Sequence, residues 1–173
     1  AAVEAMKPTC RTLASLTADD LRAAIPGAGG QSTVIMGVGN TLKADDGAGP
    51  VVCSRLASAG TRATVIDAGT VPENYLRPIA DHRPGSLVIV DAVDFGAPPG
   101  TVRLLDTGSI AEMSLSTHSL SLQLFADMVR RETGAAIVFI GIQPARIALG
   151  EKMSPAVEKG IDALVSVLRD VFP

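Results

Sequence analysis

The chain has 173 residues, a formal net charge of −3 at neutral pH, 47% hydrophobic residues and a mean hydropathy of +0.33. This acidic balance, with a pI near 5.3 and only Arg130 and Arg131 adjacent among scattered cations, excludes the basic footprint that nucleic-acid binding requires. Aromatics are too few for base stacking, and no apolar run approaches the ~20 residues that span a bilayer, so neither nucleic acid nor membrane insertion is expected.

The length fits one domain, and a chain of this size buries roughly 70% of its unfolded surface. Cys10 and Cys53 form no CxxC pair and no metal-ligand spacing, which reads as reduced thiols. No basic-then-apolar leader opens the sequence, so a cytoplasmic protein is expected.

Residues 1–30 read as an N-terminal extension: a short helix capped by Thr17, with Asp20 three residues later, stopped by Pro26 and a glycine-rich linker. From residue 31 to 173 strand and helix patterns alternate. "TVIMGV" is a strand, followed by a helix from about Asp46 to Ala59. "RATVIDA" (62–68) is a second strand, with a short helix over 71–82 that Pro78 can distort. "SLVIVDAV" (86–93) and "GTVRLLD" (100–106) are the third and fourth strands. A polar loop runs to His118, then a helix over 119–132 whose Leu120, Leu124, Phe125 and Met128 share a face. "AIVFIGI" is the fifth strand, and the last helix starts at Pro155 with Ser154 as its cap. The alternation predicts a single three-layer α/β domain: a mostly parallel, five-stranded twisted sheet with helices on both faces.

Sites in such sheets form beyond the carboxyl ends of the strands. The polar residues there are Asn40, Asp45 and Asp46 after the first strand, Asp67, Gly69 and Thr70 after the second, Asp91 and Asp94 after the third, and Gln143 after the fifth. His118 stands just before a helix. Each has a structural explanation: Asp45 and Asp46 suit a helix start, where acids gain about 0.3–1 kcal/mol. Acids that follow the buried runs "ATVI" and "LVIV" must instead find partners or line a cleft. Two or three carboxylates and one imidazole from separate strand ends make an oxygen/nitrogen set suited to a divalent transition ion, and three protein ligands would leave positions open. A nucleotide site fits less well. In "GVGNTL" Leu42 replaces the last small residue of the dinucleotide fingerprint, no GxxxxGK[ST] is present, and no GxSxG elbow supports a serine nucleophile.

"GVGNTLKADDGAGP", "DAGTVPEN", "LVIVDAVDFGAPPG", "STHSLSL" and "FIGIQP" occur in this order. With them the chain, from about Thr33 onward, resembles the hydrogenase maturation endopeptidases. It is most similar to the branch serving formate-hydrogenlyase-type and related membrane-bound [NiFe] hydrogenases. The resemblance implies a hydrolase that removes the C-terminal extension of the large-subunit precursor after nickel insertion. The family's three metal-binding residues correspond to Asp46, Asp91 and His118. Other branches carry Glu at the first of these positions. Ala68 stands where relatives often have Gly. Nickel is then supplied by the precursor, and no organic cofactor is expected. The resemblance leaves open whether hydrolysis is metal-assisted or aspartic-type, with Asp45 as a possible base. Asn40, Gly69, Thr70 and Gln143 are candidate walls of a peptide groove. The alternative is a non-cleaving, nickel-sensing maturation chaperone that uses the same ligands.

Overall fold

The computed structural model describes residues 17–28, 32–105 and 119–173, with side chains of the last segment from Leu122 onward. Helix α1 (Ala18–Ala24) opens on a reciprocal capping box, in which the Thr17 hydroxyl accepts from the Asp20 N–H and the Asp20 carboxylate accepts from the Thr17 N–H. Its Leu21 and Ile25 are fully buried and join the core formed with the C-terminal helix, so this early helix packs as part of the domain.

Strand β1 (Thr33–Val38) leads through a 3-10 turn (Ala44–Gly47) into α2 (Ala48–Ala59). β2 (Thr64–Gly69) is followed by a second 3-10 turn (Pro72–Tyr75) and α3 (Leu76–His82). Pro78 is accommodated in the first turn of α3, where a missing N–H costs no intrahelical bond. β3 (Ser86–Ala92), β4 (Val102–Leu105), α4 (Ser119–Thr133), β5 (Ala136–Ile142) and α5 (Pro155–Val171) complete the described elements.

The five strands form one sheet in the order β2-β1-β3-β5-β4. All neighbours run parallel except β4, which lies antiparallel to β5 at one edge. Side chains alternate across the sheet and divide the core in two. Ile35, Val88, Val90, Ile140 and Ile142 meet α1, α2 and α5 on one face. Val34, Met36, Leu87, Ile89 and Phe139 meet α3 and α4 on the other. The three-layer arrangement predicted from the alternation of patterns is thus observed.

One helix face differs from expectation. α4 buries Leu122, Phe125, Ala126 and Val129, while Leu124 and Met128 face solvent. Both stripes have helical spacing, and contact with the sheet selects the first. No helix among the described residues is long and apolar enough to cross a membrane.

Candidate active site

β1 has β2 on one side and β3 on the other, so the chain leaves these two central strands toward opposite edges of the sheet. Their carboxyl ends part there, and this switch point is where an open α/β sheet forms its crevice. Asp46 stands beyond the end of β1, and Asp91 is near the end of β3.

The glycines of "GVGNTLKADDGAG" bring α2 down onto these strand ends. A Cβ on Gly49 would overlap the carbonyl oxygens of both Val38 and Val90, and one on Gly39 would overlap the carbonyl oxygen of Asp46. Gly39 also has φ +144°, a conformation that side chains disfavour. The glycines therefore serve backbone packing between α2 and two strands. Gly49→Ala is expected to lower stability by about 2 kcal/mol or more, because the atoms in the way are backbone and cannot rotate aside. Thermal denaturation of the variant, read as a fall in Tm against the parent, measures this.

The adjacent acids diverge. Between Lys43 and Asp45, Ala44 is held at φ +51°, a left-handed conformation that costs an L-residue roughly 1–2 kcal/mol. The hydrogen bonds Asp46 N–H to Lys43 O and Asp45 N–H to Arg146 O hold the strained turn in place. Asp46 turns toward the crevice, where its Oδ2 accepts from the Asn40 N–H at 3.0 Å. Asp45 turns into the protein and is fully buried.

The Asp45 carboxylate is saturated. Oδ2 accepts from the backbone N–H groups of Ala145 (2.8 Å) and Arg146 (3.0 Å) and from the Ser154 hydroxyl (2.8 Å). Oδ1 accepts from the Ser154 N–H at 2.6 Å. Four donors match the roughly four lone-pair sites of a carboxylate. Burial pushes the Asp45 pKa up, but the donors of Ser154, Arg146 and Ala145 outweigh it and hold the group below the ordinary value. Expected as a helix cap or possible base, Asp45 makes no cap of α2; it ties the β1–α2 turn to the β5–α5 connection. Ser154 occupies the first position before α5 as expected, yet its hydroxyl donates to Asp45 and does not cap its own helix.

Asp91 is the opposite case. It is 4% exposed, and neither carboxylate oxygen has a hydrogen-bond partner. Burial, and next the charge of Asp46, push its pKa well above the ordinary carboxylate range. The nearby Ala92 amide offsets this only in part and does not meet hydrogen-bond geometry. A buried carboxylate without donors is costly unless a proton or a cation completes it. The pair of Asp91 with Asp46 thus fits a positive ligand by the chemistry of its donors.

Strand parity decides which other acids join. Gly37 pairs with both Val90 and Asp67, so Asp67 lies on the α2 face, while Asp91 falls on the face covered by α3 and α4. Asp67 is exposed and folds back to accept from the Gly69 N–H. Its charge, after burial, contributes to pushing the Cys53 thiol up to about 12, and Cys53 remains a free, buried cysteine.

His118 lies outside the described residues, and among the described residues no group of three His, Cys, Asp or Glu is placed to hold a metal. The helix that follows His118 in sequence is α4 (Ser119–Thr133). α4 packs on the face to which Asp91 belongs, and its 15 residues span about 22 Å, against about 23 Å for the seven residues of β5. With its last turn at the amino end of β5, α4 begins near the carboxyl edge of the sheet.

The expected groove residues divide. Asn40 is half-buried, donates to Asp46, and accepts from the Leu42 N–H with its own Oδ1. The Gly69 carbonyl accepts from the Gly39 N–H, joining the ends of β1 and β2, and Thr70 is exposed beside it. Gln143 is buried and occupied. Its Oε1 accepts from the Phe95 and Ala97 N–H groups, and its Nε2 donates to Asp94 Oδ1 and Pro144 O. It staples the β3–β4 connection and offers nothing to a groove. With Gln143 and Gly96 donating to it, Asp94 is held below its ordinary pKa.

Known proteins share this architecture. The hydrogenase maturation protease family model matches residues 52–170, a range that includes Asp91 and His118 and begins after Asp46. The chain is 36% identical over 133 residues to the hydrogenase 3 maturation protease of Escherichia coli K12, covering 76% of this chain and 85% of that protein. The crystal structure of the [NiFe] hydrogenase maturation protease HycI from Thermococcus kodakarensis KOD1 superposes with a TM-score of 0.76 at 31% identity, over 83% of this chain and 94% of that one. The hydrogenase maturating endopeptidase HybD of Escherichia coli superposes with a TM-score of 0.65 at 25% identity, over 81% of this chain and 89% of that one.

Proposed function

We propose a specific reaction for this chain, which belongs to the hydrogenase maturation protease family: removal of the C-terminal extension of a [NiFe] hydrogenase large-subunit precursor after nickel insertion. The observation that carries the reading is Asp91, a buried carboxylate with both oxygens unpartnered, next to Asp46 at the switch point of the sheet. Asp46 and Asp91 supply two oxygen donors, and His118 is the third ligand by the family's motif. In this reading the nickel belongs to the substrate. It arrives bound to the precursor, and these three side chains recognise it when the scissile segment enters the crevice.

Held by Asp46, Asp91 and His118, the precursor's nickel would supply Lewis-acid polarisation of a water or of the scissile carbonyl beside it. The residues of this chain hold and orient. The Asn40 amide fixes Asp46, and the burial of Asp91 keeps water from competing for its oxygens. The saturated Asp45 serves as an anchor for the turn, so the attacking water takes its base elsewhere. We place the reaction in the cytoplasm, in keeping with the free thiol of Cys53.

The test incubates the chain with nickel-loaded and nickel-free precursor and follows the precursor's mass. Loss of the C-terminal extension from the nickel-loaded form alone is expected. Nickel-dependent binding with unchanged mass would overturn peptidase action and point to a sensing chaperone.

A further inference from the structure

Of the six large apolar side chains exposed among the described residues, the three on the turn after β1 and the connection after β5 lie on adjoining segments. Leu42 is 68% exposed on the turn after β1, and Ile147 and Leu149 are 50% and 74% exposed on the connection after β5. The Gly150 N–H donates to the Leu42 carbonyl at 2.9 Å, which sets the two segments side by side. The same two segments are tied a second time through Asp45, which receives Ala145 and Arg146 and donates its own N–H to the Arg146 carbonyl. An ion pair from Arg146 to Glu151 at 2.9 Å and a hydrogen bond from Arg146 to the Lys152 carbonyl brace the loop from within. These leucines and the isoleucine are thus held outward by backbone bonds, with no core of their own to enter.

Exposed apolar groups on a fixed scaffold mark a recognition surface, because a rigid seat loses little entropy on binding. This one is continuous with the crevice, since Leu42 lies four residues before Asp46 and its N–H is bonded to Asn40, which itself donates to Asp46. Its charge is also distinctive. In a chain of net charge −3, the exposed charged residues of 41–46 and 144–152 are Lys43, Arg146 and Lys152 against Glu151, with Asp45 and Asp46 of the same turn buried. Neither Lys43 nor Lys152 has an ion pair among the described residues.

We propose that Leu42, Ile147 and Leu149 form a docking seat for the precursor, receiving an apolar stretch of its C-terminal region flanked by acidic residues. The proposal rests on the peptidase reading above and adds to it the chemistry of the recognised segment. The apolar side chains bury that stretch, and Lys43 and Lys152 attract the flanking acids, aligning the chain so that the scissile bond passes Asp46 and Asp91.

The test compares the parent chain with a Leu42→Asp/Leu149→Asp variant, using purified nickel-loaded precursor. Both positions are solvent-facing, so an unchanged Tm is expected, and Leu42→Ser/Leu149→Ser provides a milder second pair. Half-saturating precursor concentration should rise at least about tenfold with kcat little changed, since two buried leucines are lost from the complex. Binding measured in an Asp91→Asn background, where cutting does not intervene, should weaken equally. Added salt should weaken the parent's binding by screening the lysines. Equal KM and equal binding in parent and variant would overturn the seat while leaving the peptidase reading standing. A parent that neither cuts nor binds precursor would overturn the reading itself. A parent that is dimeric where the variant is monomeric would assign the surface to a second copy of this chain and overturn the proposal.

Discussion

Asp91→Asn is expected to be more stable than the parent chain at neutral pH while leaving the precursor uncut. In the parent, both Asp91 oxygens are buried without donors beside the Asp46 charge. Asparagine keeps the shape and removes the charge. Its amide remains poorly satisfied, so the gain is limited to about 1–2 kcal/mol, or a rise in Tm of about 2–4 °C per kcal/mol for a chain of this size. The pH dependence follows from the raised pKa. Between the unfolded value near 3.8 and the higher folded value, the folded protein holds a proton that the unfolded chain has released. Stability from this group is full below the unfolded pKa and declines as pH rises through the folded one. Parent and variant should therefore converge in acid and separate toward neutrality, as measured by Tm against pH. A variant less stable than the parent at pH 7, with the same pH slope, would show that Asp91 is structurally satisfied. Such a gain in stability at the expense of activity is the trade expected where a site keeps a group poised for a ligand.

Features governed by near neighbours were legible in the sequence. The Thr17–Asp20 box lies within one turn, and strand parity follows from alternation, so helix α1 and the sheet layers could be read directly. The crevice was also legible in outline, because chain direction alone sends Asp46 and Asp91 to the carboxyl edge. Long-range bonds were hidden. Asp45 and Asp46 are adjacent, and what separates them is a left-handed Ala44 together with donors about 100 residues downstream. Gln143 looked like a groove wall, but its acceptor oxygen is taken by amides of a connection 46 and 48 positions earlier. The antiparallel direction of β4 is likewise set by its pairing with β5, which four residues of strand pattern cannot specify. In α4 two apolar stripes competed, and the sheet chose between them.

Asp45→Ala should be among the most damaging single changes in the protein, although Asp45 touches no substrate in the mechanism above. It would leave the amides of Ala145, Arg146 and Ser154 and the Ser154 hydroxyl without their acceptor around a buried site. Hydrogen bonds to a charged group contribute about 1.5–3 kcal/mol each, but not additively, so a total loss of about 3–5 kcal/mol is expected. Asp45→Asn should lose less, since one oxygen survives while the new NH2 faces donors. The pH dependence has the opposite sign to that of Asp91. With the folded pKa held below 3.8, this group's contribution is present above the unfolded value and lost as pH falls through the folded one. The parent should therefore weaken more steeply in acid than Asp45→Asn, as shown by denaturant midpoints from pH 7 down to about pH 3. Catalysis separates anchoring from proton transfer. At a temperature where Asp45→Asn is fully folded, it should still remove the extension, with kcat within a few fold of the parent. Loss of cutting by several orders of magnitude in that folded variant would return Asp45 to the role of base. Retained cutting would show that of two neighbouring aspartates, one holds the turn and the other faces the substrate.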